Sequence, residues 1–250
     1  MYRLFFYLVC CQSIPGLDEL LEGGFPRKRL VLVSGATGTG KSIFGMQYVY
    51  KGLVEHEEPG VFVSFDEMPE KLREDMLRFG WNLKDLEKND LLAVVDATSA
   101  RAGAPSEEEH AIMPGQLDLD RVLLEIISTA RRIDAKRLVI DSLASMGLRL
   151  DGDTEARRAV LKMSYVLARS GLTTILTTEV PEQAPGTGMH FSKYGVEEYI
   201  ADGVLLLNFV GMGPQPIRTM QIRKMRGTNH SLEIHQFEIT EKGILLEKRA

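Results

Sequence analysis

Cysteine is almost absent from this chain of 250 residues: there are two, Cys10 and Cys11, and they are neighbours. Adjacent cysteines build no disulfide framework, which excludes the disulfide-stapled secreted class and suits a reducing, cytoplasmic setting. Charge of one sign is not in large excess. The formal net charge is −5, so no dominant nucleic-acid surface is indicated globally, although a local basic patch is compatible with it. Histidine is sparse, and His56, His110, His190, His230 and His235 show no metal-ligand spacing. Long hydrophobic runs are missing too. The apolar, aromatic stretch over residues 1–11 is charged only at Arg3 and is too short to span a bilayer. Gln12-Ser13-Ile14-Pro15 after it is a poor cleavage site for an exported precursor. That stretch is expected to be a strand packed on the domain or on a neighbouring subunit. There is no internal repeat and no linker, so residues 1–250 are expected to form one domain, with 1–13 as an atypical apolar segment.

What the chain does have is glycine in one informative place. Gly35-Ala36-Thr37-Gly38-Thr39-Gly40-Lys41-Ser42 has the spacing G-x-x-x-x-G-K-[S/T] of a phosphate-binding loop. Glycines let the backbone curl so that successive N–H groups face phosphate oxygens. Lys41 places a positive charge at the β- and γ-phosphates, and the Ser42 hydroxyl can ligate Mg²⁺. The context agrees. Leu30-Val31-Leu32-Val33-Ser34 is an unbroken apolar run, as a parallel strand buried on both faces requires. Ile43, Met46, Gln47 and Tyr50 then recur at helical spacing.

Strands and helices alternate from there. Residues 15–24 read as a short helix stopped by Gly23 and Gly24. Gly60-Val61-Phe62-Val63-Ser64-Phe65 and Leu91-Leu92-Ala93-Val94-Val95-Asp96 read as strands, with a helix opened by Pro69 between them and running to about Phe79. Residues 97–115 show no period and read as a long surface excursion. An amphipathic helix from Asp118 follows, with Val122, Leu123, Ile126, Ile127, Ala130 and Ile133 on one face. A strand over residues 138–141, a helix over 153–169 and a strand over 173–178 complete the alternation. The helix face of Ala156, Val160, Met163 and Leu167 reads as core. Beyond Val204 the chain turns to short strands over 204–209, 218–224, 233–240 and 244–246. The pattern predicts a mostly parallel, doubly wound α/β sheet extended by antiparallel C-terminal strands.

A phosphate loop alone means nucleotide binding; hydrolysis needs a metal ligand and a group that positions water. Asp141 ends an apolar strand about 100 residues after Lys41, at the edge where open α/β sheets bind ligands, and suits the Mg²⁺ shell. Asp66 and Glu67 end another strand on that edge, where a carboxylate can polarise the attacking water. Their competing role is an acidic pair at a helix N-terminus.

These residues resemble a known family. Ile14-Pro15-Gly16-Leu17-Asp18-Glu19, the phosphate loop, Phe62-Val63-Ser64-Phe65-Asp66-Glu67, Phe79-Gly80-Trp81, Val139-Ile140-Asp141-Ser142, Leu176-Thr177-Thr178-Glu179, Tyr194-Gly195-Val196-Glu197-Glu198 and Lys224-Met225-Arg226-Gly227-Thr228-Asn229-His230 occur in the order of the KaiC-like branch of the RecA superfamily. The resemblance implies a RecA-type ATPase core, ATP or ADP with Mg²⁺, and a homo-oligomeric, hexameric ring with nucleotide between subunits. It makes Asp66, Glu67 and Lys41 catalytic, and Thr37, Gly38, Thr39, Gly40, Lys41 and Ser42 nucleotide-binding. It sends Lys224, Met225 and Arg226 to a neighbour's nucleotide, with Thr228 and His230 nearby, and makes Ser42 and Asp141 the metal residues. Lys224 and Arg226 alternate along a strand and so share a face, as an arginine finger delivered to another subunit requires. Asp66 stands where glutamate is commoner. Glu198-Tyr199 stands where the family's clock protein carries a phosphorylatable Ser-Thr pair, so such autophosphorylation is not expected. Two other functions stay open at this level. One is a recombinase-like single-stranded DNA-binding ATPase using residues 145–155 and 181–193, whose few cations include Arg149 and Lys193. The other is a non-enzymatic scaffold gated by nucleotide.

Overall fold

The structure is a computed structural model and describes residues 9–11, 14–114, 118–145, 153–180, 191–193, 195–211 and 216–247. The strands are β1 (Val9–Cys10), β2 (Phe25–Pro26), β3 (Leu30–Gly35), β4 (Gly60–Ser64), β5 (Leu92–Asp96), β6 (Arg137–Asp141), β7 (Thr173–Thr178), β8 (Gly203–Val210), β9 (Ile217–Met225), β10 (Ile234–Thr240) and β11 (Gly243–Leu246). The α-helices are α1 (Lys41–His56), α2 (Pro69–Leu77), α3 (Leu83–Glu87), α4 (Thr98–Ala102), α5 (Leu119–Arg132), α6 (Asp153–Ser170) and α7 (Glu197–Ile200). One nine-stranded sheet runs β11-β10-β9-β8-β3-β7-β6-β4-β5. It is parallel from β8 to β5 and antiparallel from β8 to β11. The fold is the α/β, RecA-type core with an antiparallel extension that the alternation predicts.

Period-two geometry explains the two cores. Along β3, Leu30 and Leu32 join the apolar layer beneath α5 and α6, with Val122, Ile126, Met163 and Leu167. Val31 and Val33 join the opposite layer with Phe44, Tyr48, Leu72 and Ile14. Successive side chains face opposite sides, so a strand covered on both must be apolar throughout. The amphipathic helix appears as α5, and the Asp118 carboxylate caps it by accepting from the N–H groups of Asp120 and Arg121, each at 3.1 Å.

Two expectations are corrected. Residues 15–24 do not form an α-helix. Leu17 and Leu20 bond back three residues, to Ile14 and Leu17, giving a 3₁₀ turn at Asp18–Leu21. Four residues between the Pro15 turn and the glycine pair are too few to close an α-helical ladder. The excursion at 97–115 is less irregular than its sequence. It opens with α4, and Ala111 makes a single parallel bridge to Asp96. Short elements such as α3, α4 and α7 give too few turns for a detectable period. Only Val9–Cys10, paired antiparallel with Phe25–Pro26, represents the expected N-terminal strand; residues 1–8 lie outside the described residues.

One buried charge cluster locks the layers together. Arg137, 0 % exposed at the start of β6, pairs with Glu58 at 2.7 Å and donates to the Tyr48 carbonyl at 2.8 Å. Its guanidinium lies 4.6 Å from the Tyr48 ring centroid. An unpaired buried guanidinium would cost several kcal/mol, on the order of 3–5, so carboxylate and carbonyl together make this burial tolerable. Cys10 packs against the same cluster, and burial pushes its thiol up to about 11. That leaves Cys10 protonated at neutral pH and outside nucleophilic chemistry. Among the described residues no helix is long and apolar enough to cross a membrane.

Candidate functional site

The C-terminal ends of β3, β4, β6 and β7 meet along one edge of the sheet. β3 runs into the phosphate loop. Gly38 and Gly40 have φ of +81° and +102°, backbone that L side chains rarely adopt, which is why this curl needs glycine. Thr39 Oγ1 closes the loop by donating to the Ala36 carbonyl at 2.8 Å. α1 begins at Lys41, so the positive end of its dipole opens onto the loop. Lys41 Nζ arches over the loop and donates to the carbonyls of Gly35 at 2.9 Å and Ala36 at 3.0 Å. Burial lowers the Lys41 pKa, while the charges of Glu179, Asp141 and Asp66 oppose that change. The same three carboxylates therefore sense one ammonium, which marks a shared locus.

Asp141 is 6 % exposed at the end of β6. It accepts hydrogen bonds from Thr177 Oγ1 and from the Ser42 side chain. Burial raises its pKa, the Thr177 and Ser42 bonds lower it, Asp66 raises it and Lys41 lowers it. Ser42 and Asp141 thus place two adjoining hard oxygen atoms beside the loop. Among the described residues no three His, Cys, Asp or Glu side chains converge into a metal cage. A hydroxyl and one carboxylate beside a phosphate cradle fit Mg²⁺, which keeps waters and takes substrate oxygens instead of a full protein shell.

The acidic pair follows β4, which lies beside β6 with Ser64 opposite Asp141. Its two members have different surroundings. Asp66 is held by donors on both oxygens: Arg101 Nη1 at 3.0 Å on Oδ1 and Ser142 Oγ at 2.9 Å on Oδ2. Glu67 is half-buried and shares a hydrogen bond with Asp75 of α2. Burial, then the charges of Asp75 and Asp141, raise its pKa above the ordinary glutamate value. A raised carboxylate is the better proton acceptor at neutral pH.

The other expected nucleotide contacts lie elsewhere. Met225 pairs with Gly203, which pairs with Val31 of β3, whereas the loop leaves β3 at Gly35 opposite Leu207. Four residues separate those levels, about 13 Å along the strand. Lys224, Met225 and Arg226 therefore sit toward the opposite edge from their own phosphate loop. Lys224 Nζ closes the C-terminal end of α7, donating to the carbonyls of Glu198, Tyr199 and Ala201 at 3.2, 3.3 and 2.5 Å. The Met225 side chain is in the core. The Arg226 side chain is 55 % exposed and, among the described residues, makes a long contact, 3.8 Å, to Asp202. Thr228 Oγ1 donates to Glu22 at 3.0 Å, and His230 Nδ1 lies 3.0 Å from the Ser231 carbonyl.

Four side chains at the loop edge are not among the site residues expected from the sequence. Glu179, the residue after β7, accepts from Thr37 Oγ1 at 3.1 Å. Thr177 meets Asp141, Ser142 meets Asp66, and Arg218 Nη2 reaches the Gly38 carbonyl at 3.4 Å. Glu179 and Thr177 carried a usable signal, since they end a β-rich run as Asp141 does. Arg218 carried none, because only the pairing of β9 with β8 brings it beside the loop. Most of the loops offered for DNA contact, residues 146–152 and 181–190, lie outside the described residues.

A family model described as "ATPase: KaiC" matches residues 11–250. An UPF0273 protein of Aeropyrum pernix is 41 % identical over 235 residues, covering 94 % of this chain and 91 % of the relative. The circadian clock oscillator protein KaiC of Synechococcus elongatus is 36 % identical over 232 residues, covering 92 % of this chain but 42 % of that protein. The crystal structure of a KaiC-like protein from Pyrococcus horikoshii superposes with a TM-score of 0.80 at 41 % identity, covering 95 % of this chain and 98 % of that one.

Proposed function

The chain belongs to the KaiC family of ATPases, and on that premise we propose that it is a single-domain, cytoplasmic ATP hydrolase whose active site is completed between copies of itself in a homo-oligomeric, hexameric ring. Family membership supports ATP binding, and the carrying observation for hydrolysis is convergence. The phosphate loop, the Ser42–Asp141 pair and the Asp66-Glu67 pair occupy one sheet edge.

The residues divide the work by their chemistry. The loop amides and Lys41 hold the phosphates of ATP in place and meet their charge. Ser42 and Asp141 would hold Mg²⁺, which when bound offsets charge on the β- and γ-phosphates. Glu67, raised in pKa and open to solvent on one side, takes the proton of the attacking water. The water oxygen bonds to the γ-phosphorus, the bond to the ADP oxygen breaks, and ADP and phosphate leave. Arg226, exposed and remote from its own loop, supplies positive charge to a neighbour's transferring phosphoryl group.

Replacing Asp66→Asn and Glu67→Gln together is expected to leave Mg-ATP affinity within about threefold while slowing turnover at least about tenfold, the low end for a lost proton-transfer group. Steady-state phosphate release beside a binding titration measures both. A double variant with normal turnover reduces the pair to a helix N-terminal feature and leaves nucleotide-gated scaffolding as the function.

The pH profile separates the two carboxylates. The base must be ionised, so kcat rises with pH through the Glu67 pKa, which stands above the ordinary glutamate value. Removing the Asp75 charge lowers that pKa. Asp75→Asn is therefore expected to move the acid limb to lower pH, and an unmoved limb takes Glu67 out of the proton transfer.

A further inference from the structure

Resting on the hydrolysis reading above, we infer that Arg101 is a positioning residue: it pins the Asp66 carboxylate at the loop edge and so joins the 97–114 excursion to the active site. The side chain is delivered by construction. Asp96 ends β5, and its Oδ1 accepts from the Thr98 amide at 2.8 Å and the Thr98 hydroxyl at 2.7 Å, which starts α4 at a fixed place. The Ala97 amide donates to the Ser64 carbonyl at 2.9 Å, tying the root of α4 to the end of β4. From the last turn of α4, Arg101 Nη1 donates to both the Phe65 carbonyl, at 2.9 Å, and Asp66 Oδ1, at 3.0 Å. A guanidinium held by one backbone and one side-chain acceptor has a defined position, unlike a surface ion pair free to rotate.

A second clip holds the far part of the excursion. Arg73 on α2 binds Glu108 through two parallel bonds, at 2.7 and 2.6 Å, and Glu87 through Nε at 2.8 Å. α2 starts two residues after Glu67, so the excursion grips the acidic segment on both sides: Arg101 before α2 and Glu108 upon it. With both Asp66 oxygens occupied by Arg101 and Ser142, Asp66 serves as a fixed acceptor and Glu67 is left to meet water. The exposed Arg101–Asp66 pair, 47 % and 46 % exposed, adds little to global stability, so its effect belongs to geometry.

A kinetic cycle with Arg101→Ala, Arg101→Lys, Asp66→Asn and the Arg101→Ala/Asp66→Asn double variant tests this. Arg101→Ala is expected to lower kcat about tenfold with KM within about twofold, the pattern of a misplaced group and not of lost substrate binding. Arg101→Lys is expected to stay within about threefold of the parent, because an ammonium can still donate to Oδ1. The double variant should fall no further than the worse single variant, as coupled neighbours do. Parent-like kcat in Arg101→Ala, an equal loss in Arg101→Lys, or multiplying losses in the double variant overturns the inference. Hydrogen exchange of the amides at 98–102 supplies a readout independent of turnover. Arg101→Ala and Asp66→Asn should both raise their exchange, to the same extent. If the parent releases no phosphate, the hydrolysis reading fails and positioning for turnover fails with it; the pin itself then stands or falls on that exchange.

Discussion

Lys41→Ala is expected to weaken ATP binding about 100- to 1,000-fold without unfolding the protein. The magnitude follows from charge. One ammonium about 4 Å from one phosphate charge, at an effective dielectric near 20, is worth about 4 kcal/mol, and every 1.4 kcal/mol is tenfold in Kd. Lys41 is half-buried, so solvent screens it incompletely. The fold is spared because, among the described residues, its Nζ bonds the carbonyls of Gly35 and Ala36, whereas the adjoining core rests on Phe44, Met46 and Tyr48. Calorimetric titration with Mg-ATP, alongside the denaturant midpoint of both proteins, reads the two halves of the prediction. An unchanged Kd removes the phosphate loop as the nucleotide site. A shifted midpoint gives the lysine a structural role beyond these two bonds.

Mixing two inactive variants is expected to restore activity. Lys41→Ala lacks the loop cation and Arg226→Ala lacks the exposed cation just after β9, and each alone should be nearly inactive. The register puts Arg226 at the edge of the sheet away from its own loop, by about 13 Å of strand. A head-to-tail interface that closes into a ring can bring it to the next subunit's loop. Random exchange of equal amounts makes about a quarter of the interfaces carry an intact Lys41 from one chain and an intact Arg226 from the other. Phosphate release should therefore reach about a quarter of the parent's, with subunit exchange followed by labelled chains. A flat mixing curve with exchange confirmed rejects the shared site. Arg226→Ala should fold normally, since its side chain is exposed and its contact with Asp202 is long.

Lys224 illustrates how far a local pattern reaches. Alternation predicts Lys224 and Arg226 on one strand face, yet β9 ends at Met225 between them and the two differ in availability. Lys224 is taken up by three carbonyls at the end of α7, an element of four residues with no periodic signature. The excursion at 97–115 shows the same limit. Nothing in its composition announces that Arg101 meets Asp66, which lies 35 positions earlier in the chain. Glu179, by contrast, was legible in principle, because it directly follows β7 on the edge where Asp141 ends β6.

The phosphate loop, the alternation of buried strands and amphipathic helices, and the ranks of polar residues that close those strands follow from the order of amino acids alone. All of these depend on neighbours within a few positions: the curl that Gly38 and Gly40 permit, the period of two, the period of 3.6. Only the tertiary structure decided which strand ends meet. Sheet order puts β6 and β7 between β3 and β4, so Asp141 and Glu179 join Lys41, while the register of β9 leaves Arg226, just past its end, toward the other edge. It also decided how Asp66 and Glu67, adjacent in the chain, diverge, one tied by Arg101 and Ser142 and the other set against Asp75. Solvation and charge at a carboxylate are sums over every group nearby in space, and those groups come from segments that only the folded sheet brings together.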